Sequence, residues 1–249
     1  MDFSQFFVPT EQLTPDSGFK PFGCFHLCCL CVIVLITALC SRWHCRQSDA
    51  IRVRFLKFLS ILIVVQEIVK DIIIVLIDSP LIQYLPLHLC GLAIFFLFAA
   101  AFHPTPFVYE LLYSLTLPGA AAALLFPNWT ECPPIHFLCL HSFTFHAYLV
   151  IFVCVLLSSG QLRPNFKRLG RCFAFLIAAS VPVYCFNKWA NTNYLFLNVP
   201  SEGSPLVPLE KLFGNPGYIG AAAVLLLPVW LIIYLPWSLP KHKSMSKTQ

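Results

Sequence analysis

Seven stretches of the chain, at about 22–41, 56–77, 82–102, 107–126, 136–157, 169–186 and 217–237, are apolar with few interruptions. Each approaches the roughly 20 residues that a helix needs to cross the hydrocarbon of a bilayer. The pattern predicts an all-α integral membrane protein, a single transmembrane domain over residues 1–249 folded as a seven-helix bundle. Composition supports this: 58% of residues are hydrophobic and 11% charged, with a mean hydropathy of +0.77, whereas soluble domains carry about 25% charged residues.

Charge then sets an orientation. Cytoplasmic loops retain Lys and Arg. Arg42, Arg46, Arg52, Arg54 and Lys57 fall between the first two spans, Arg163, Lys167, Arg168 and Arg171 between the fifth and sixth, and Lys241, Lys243 and Lys247 after the seventh. Seven alternating spans put all twelve on one side, so the N-terminus is expected outside and the C-terminus in the cytoplasm. Only Lys20, Lys188 and Lys211 fall opposite, with Lys70 inside a span. The net charge of +5 therefore reads as a topology signal, and no nucleic-acid partner is expected because the bases form no continuous face. An acidic N-terminus without a cleavage-like site predicts a retained first span. The expected location is an integral, multi-pass one, the bacterial cytoplasmic membrane being favoured over a eukaryotic endomembrane.

Most of the 12 Cys lie inside apolar runs and are expected to pack as small hydrophobes. The long connection 188–216 is expected to fold over the outer mouth of the bundle. Asn128-Trp129-Thr130 is a glycosylation sequon that would matter only in a secretory pathway.

Ionisable groups inside spans cost several kcal/mol and normally face a cavity or a partner. In span two, Glu67, Lys70 and Asp71 share one helix face, equally consistent with a packing ion cluster and with function. In span three, Gln83, Leu87 and Cys90 share a face, while helical geometry sends His88 nearly opposite. Pro86 suits a first helical turn, which puts Cys90 about one turn from a helix N-terminus, where the dipole favours a thiolate. In span five, Cys139, Ser142 and His146 form one strip and His141, Thr144 and Tyr148 another, so only one histidine is expected to face a given partner. At ~1.5 Å per residue, Glu67, Cys90 and His146 all lie about 12–15 Å from the outer side. An outer-half pocket, reached by lipid from the side, is therefore expected.

The runs Leu85-Pro86-Leu87-His88-Leu89-Cys90, Leu125-Phe126-Pro127-Asn128-Trp129, Ser159-Gly160-Gln161-Leu162-Arg163-Pro164 and Thr192-Asn193-Tyr194-Leu195-Phe196-Leu197 resemble the YwaF-like, transmembrane-protein-164-related family of multi-pass membrane proteins. The resemblance covers nearly the whole chain. It implies an acyltransferase that moves a fatty acyl chain between phospholipids and lysophospholipids through an acyl-cysteine, without a cofactor. The matching catalytic residues here are Cys90 and, by spacing, His146, with His141 as the alternative. Glu67 could orient a histidine, and His88, Gln83 or backbone amides could stabilise the oxyanion. Lys70, Asp71 and Asn193 could meet the lipid head group.

Two other readings fit the residues. His26, His88, Cys90, His141 and His146 include enough ligands for a zinc-dependent intramembrane lipid hydrolase. Glu67, Lys70, Asp71 and His146 could serve a small-solute or proton-coupled transporter, although no internal repeat is visible. An accessory membrane protein without chemistry is also compatible.

Overall fold

The computed structural model describes residues 4–14 and 16–238, so the expected cytoplasmic tail with Lys241, Lys243 and Lys247 lies outside the described residues. Among those described the chain is all helix, with no strand. Helices α1 (Cys24–Cys45), α2 (Asp49–Leu76), α3 (Leu89–Phe102), α4 (Pro106–Leu125), α5 (Phe137–Ser158), α6 (Leu169–Ala190), α7 (Leu206–Phe213) and α8 (Gly217–Ser238) follow in order. Each of the seven apolar stretches contains a helix. By length and composition, five are fit to cross a membrane: α1, α4, α5, α6 with its preceding turn, and α8. α2 carries Glu67, Lys70 and Asp71 in its apolar part, and α3 has only 14 residues.

Local chemistry fixes the helix ends. Arg52 donates to the carbonyls of His44 (3.0 Å) and Cys45 (2.6 Å), closing α1 against α2; Arg52, Arg54 and Lys57 thus lie in the first turns of α2 and not in a loop. α4 starts at Pro106 with the Thr105 hydroxyl accepting from the Val108 amide at 3.2 Å, a side-chain cap on amides that a helix cannot satisfy itself. His136 caps α5 in the same way through Nδ1 and donates from Nε2 to the Val8 carbonyl (2.9 Å). That bond straps the N-terminal segment across this end of the bundle, with Phe137 N to Phe6 O and Phe19 N to Thr130 O alongside.

The helices alternate in direction, so both basic connections gather at one end. Lys57 reaches Phe102 at the close of α3, and Glu110 at the start of α4 accepts from the Asn165 amide and Arg168. The main core fills this basic half, with Ile63 of α2, Leu97 of α3, Leu112 and Leu115 of α4, and Leu149, Phe152 and Leu156 of α5. Within α4, Leu112–Thr116 widens into a π turn, and Trp230 of α8 donates to the Ser114 carbonyl at 2.8 Å. A half-buried bond from Tyr113 to the Ile233 carbonyl and a buried one from Tyr234 to Glu110 complete the attachment of α8. At the opposite end a smaller core (Phe19, Ile33, Ile74, Leu138, Phe143) leaves space beside it.

Candidate functional site

That space is a cavity of about 1110 Å³ at the end remote from Arg52 and Arg168, at the upper limit of ordinary small-ligand sites. Glu67, Lys70, Gln83, His88, Cys90, His141 and His146 all line it, gathered from α2, the segment before α3, α3 itself and α5. The rest of its wall is largely apolar. Ile177, Val181 and Tyr184 of α6 and Leu225 of α8 line the cavity and are also exposed on the bundle, so it is open on its flank between these helices.

The approach to Cys90 departs from the expected continuous span. Helix α3 begins at Leu89 and not near 82, because residues 80–88 are tied sideways. The Tyr194 hydroxyl accepts from the Leu85 amide and donates to the Ile82 carbonyl, both at 2.7 Å. Burial pushes the Tyr194 phenol up to about 12, so it keeps the proton it donates. Cys90 is therefore the second residue of its helix, in the turn whose amides have no helical acceptor. His88, expected to point away, precedes the helix and lines the same cavity. Gly91 permits the close turn: a Cβ there would sit 2.6 Å from the Pro86 backbone. Gly91→Ala is expected to displace residues 84–88 and cost about 1–3 kcal/mol, read as a lowered thermal midpoint in detergent; an unchanged midpoint would contradict the close packing.

The three histidines of the cavity have distinct surroundings. His146 Nδ1 lies 2.7 Å from the Ser142 carbonyl. A carbonyl only accepts, so Nδ1 carries the proton, and in the neutral ring Nε2 is left as an acceptor. Trp129 stacks on this ring at 5.2 Å and 15°. His88 is the opposite: its Nδ1 accepts from the Leu195 amide at 3.3 Å, so its Nε2 carries the proton. His141 stacks on Phe145 and places Nε2 3.5 Å from Glu67 Oε2. Sequence geometry expected one histidine of α5 to face the site, but both His141 and His146 reach it. His146 lies within electrostatic range of His141, Glu67 and His88.

Lys70 contacts Glu67 (2.5 Å), Asp71 (3.0 Å) and the Tyr84 carbonyl. Two of these contacts are hydrogen bonds, to Glu67 and to the Tyr84 carbonyl, so Lys70 is tied into the protein at the cavity wall. Asp71 faces a separate shallow surface with Ile72, Val75 and Leu81. Asn193 does not line the cavity either: its side chain closes the loop by accepting from the amides of Asn198 and Val199 and donating to the Val199 carbonyl. The loop does contribute Leu195, Phe196, Ser201, Ser204 and Leu206 to the cavity wall. It starts at Asn191, because α6 runs to Ala190, and it contains the unexpected helix α7. His26 is a satisfied structural residue that takes the Phe22 amide and donates to the Leu124 carbonyl. Among the described residues, no group of three or more His, Cys, Asp and Glu side chains is placed to hold a metal ion.

Fold and site together define a multi-pass membrane protein with a laterally open cavity that holds a cysteine and three histidines. The chain belongs to the TMEM164 family, whose model matches residues 19–234. No curated protein and no solved structure matches it.

Proposed function

We propose that the protein is a membrane-embedded phospholipid acyltransferase working through an acyl-cysteine on Cys90. The observation that carries this reading is that Cys90 and the unprotonated Nε2 of His146 belong to one lipid-accessible cavity. His146 Nε2 takes the thiol proton as the sulfur attacks the ester carbonyl of a phospholipid. The S–C bond forms, the C–O bond breaks, and the leaving lysolipid alkoxide receives that proton. A second lysolipid then gives its hydroxyl proton to His146 as its oxygen attacks the thioester. The Cys90 sulfur leaves and recovers the proton. Glu67, 3.5 Å from His141, supports the histidine cluster. Water as acceptor would make the protein a lipase.

The test is to incubate purified protein with phospholipid carrying a labelled acyl chain. Hydroxylamine-sensitive label on the wild-type protein, absent from Cys90→Ala, supports the reading; no label on the wild type overturns it. Release of free fatty acid without transfer to added lysolipid would identify the lipase.

The same reading includes seven membrane crossings, with the N-terminus and the cavity outside. It is supported by the gathering of both basic connections at the end opposite the cavity. Helix α3 alone reaches about 21 Å, and residues 80–88 would complete its crossing as non-helical backbone buried in protein. A membrane-impermeant maleimide is expected to label Glu202→Cys in intact cells and Lys167→Cys only after permeabilisation, on a background in which the exposed native cysteines are replaced. The reverse pattern would invert the topology.

A further inference from the structure

The loop above the cavity contains an arrangement that packing alone does not require. In the turn Tyr194–Phe196, Leu195 and Phe196 adopt φ of +56° and +54°, a left-handed conformation that bulky residues avoid. The turn is nonetheless firmly held. Asn187 of α6 accepts from the Thr192 hydroxyl and the Tyr194 amide, and donates to the Tyr194 carbonyl at 2.8 Å. The Tyr194 hydroxyl is anchored on residues 82–85. The result is that the Leu195 amide reaches His88 Nδ1, while the rings of Tyr194 and Phe196 each pack 5.1 Å from that of His88. Backbone strain held in place by its surroundings concentrates at functional sites. Here it fixes one imidazole in one tautomer and one orientation.

We propose that His88 is the oxyanion donor of the acyl-transfer site: its Nε2–H stabilises the negative charge that develops on the acyl carbonyl oxygen when Cys90 attacks. This rests on the acyl-cysteine reading above and deepens it. His88 Nε2 has no hydrogen-bond partner among the described residues, and the ring lines the cavity two residues before Cys90. Two neutral histidines thus present opposite faces to one substrate. His146 offers a lone pair for the thiol proton, and His88 offers a proton to the oxygen. Each role is set by the backbone group on the ring's other nitrogen. Gln83 and the α3 amides remain as auxiliary donors, but His88 is the cavity histidine whose proton is held on Nε2 by a backbone donor at Nδ1. No proton is transferred by His88: the hydrogen bond strengthens as the carbonyl becomes tetrahedral and relaxes when it re-forms. The Leu195 amide is a positioning group, acting only through the ring.

The test uses the full chain in nanodiscs containing acyl-labelled phospholipid, following the rate of hydroxylamine-sensitive labelling. His88→Leu is expected to slow labelling about 10²–10³-fold with KM for the lipid little changed. His88→Gln, which retains an N–H near the same position, is expected to recover at least about tenfold of that loss. Size-exclusion profile and thermal midpoint establish whether the variants fold. Independently of activity, solid-state NMR of histidine-labelled wild-type protein is expected to show His88 as the Nε2–H tautomer and His146 as Nδ1–H, with assignment by His88→Gln and His146→Gln. Labelling of a folded His88→Leu variant at the wild-type rate, or an Nδ1–H tautomer at His88, would overturn the proposal and leave the acyl-cysteine standing. Absence of label on the wild type would overturn both.

Discussion

Replacement of Cys90 or His146 by Ala is expected to lower acyl transfer roughly 10⁴-fold or more while leaving a folded protein. Neither side chain is a keystone of packing. Cys90 is at the edge of the main core, and the bond made by the His146 ring is to its own helix. Their chemistry is joint, because an attacking thiol needs a proton acceptor and a proton acceptor without a nucleophile does nothing. The double variant should therefore be little worse than either single one. Cys28→Ala and Cys154→Ala should retain activity: Cys28 is exposed on α1, and neither residue lines the cavity. Full activity of Cys90→Ala, with loss in both His141→Ala and His146→Ala accompanied by loss of bound zinc, would replace the acyl-cysteine with a metal-dependent hydrolase.

The largest effect on stability is expected at the other end of the bundle. Glu110 is 1% exposed and accepts from the Asn165 amide at 3.1 Å through both oxygens, from Arg168 at 3.5 Å and from the Tyr234 hydroxyl. It joins α4, α8 and the connection leading into α6. Glu110→Ala leaves a half-buried amide and a buried phenol without their acceptor, a loss of about 3–5 kcal/mol. Arg168→Ala should cost less than about 1 kcal/mol, since Arg168 is 34% exposed at a long contact distance. Denaturant unfolding in detergent measures both. A Glu110→Ala protein as stable as the wild type would show that this network does not hold the helices together.

The helical segments were legible because runs of about twenty apolar residues admit few other structures in lipid. What sequence could not supply was where a helix starts when a distant side chain competes for its backbone. Residues 82–88 satisfy a hydropathy window, yet Tyr194, more than a hundred positions later, claims the Leu85 amide and the Ile82 carbonyl. Carrying helical geometry through that segment turned His88 away from Cys90. Rise per residue already allowed Glu67, Cys90 and His146 to meet, and they line one cavity, whereas the tautomers depend on Ser142 and Leu195 backbone groups that no pattern reveals. Glu110 is an acid within an apolar run, the same signal that marks Glu67, but no sequence pattern shows that Asn165, Arg168 and Tyr234 converge on it. Trp129 stood within a recognised run, but nothing in that run indicated that it would stack on His146. Helix α7 was hidden by its eight residues and flanking prolines.

The open flank between α6 and α8 changes what concentration means for this protein. On the acyltransferase reading proposed above, a phospholipid entering past Ile177, Val181 and Leu225 would keep its chains in hydrocarbon and never pass through water. Turnover should then follow the mole fraction of substrate in the membrane and not its amount per volume. Adding inert lipid at constant total substrate should slow the reaction by two-dimensional dilution, and the fluidity of the surrounding leaflet should set how quickly the cavity refills.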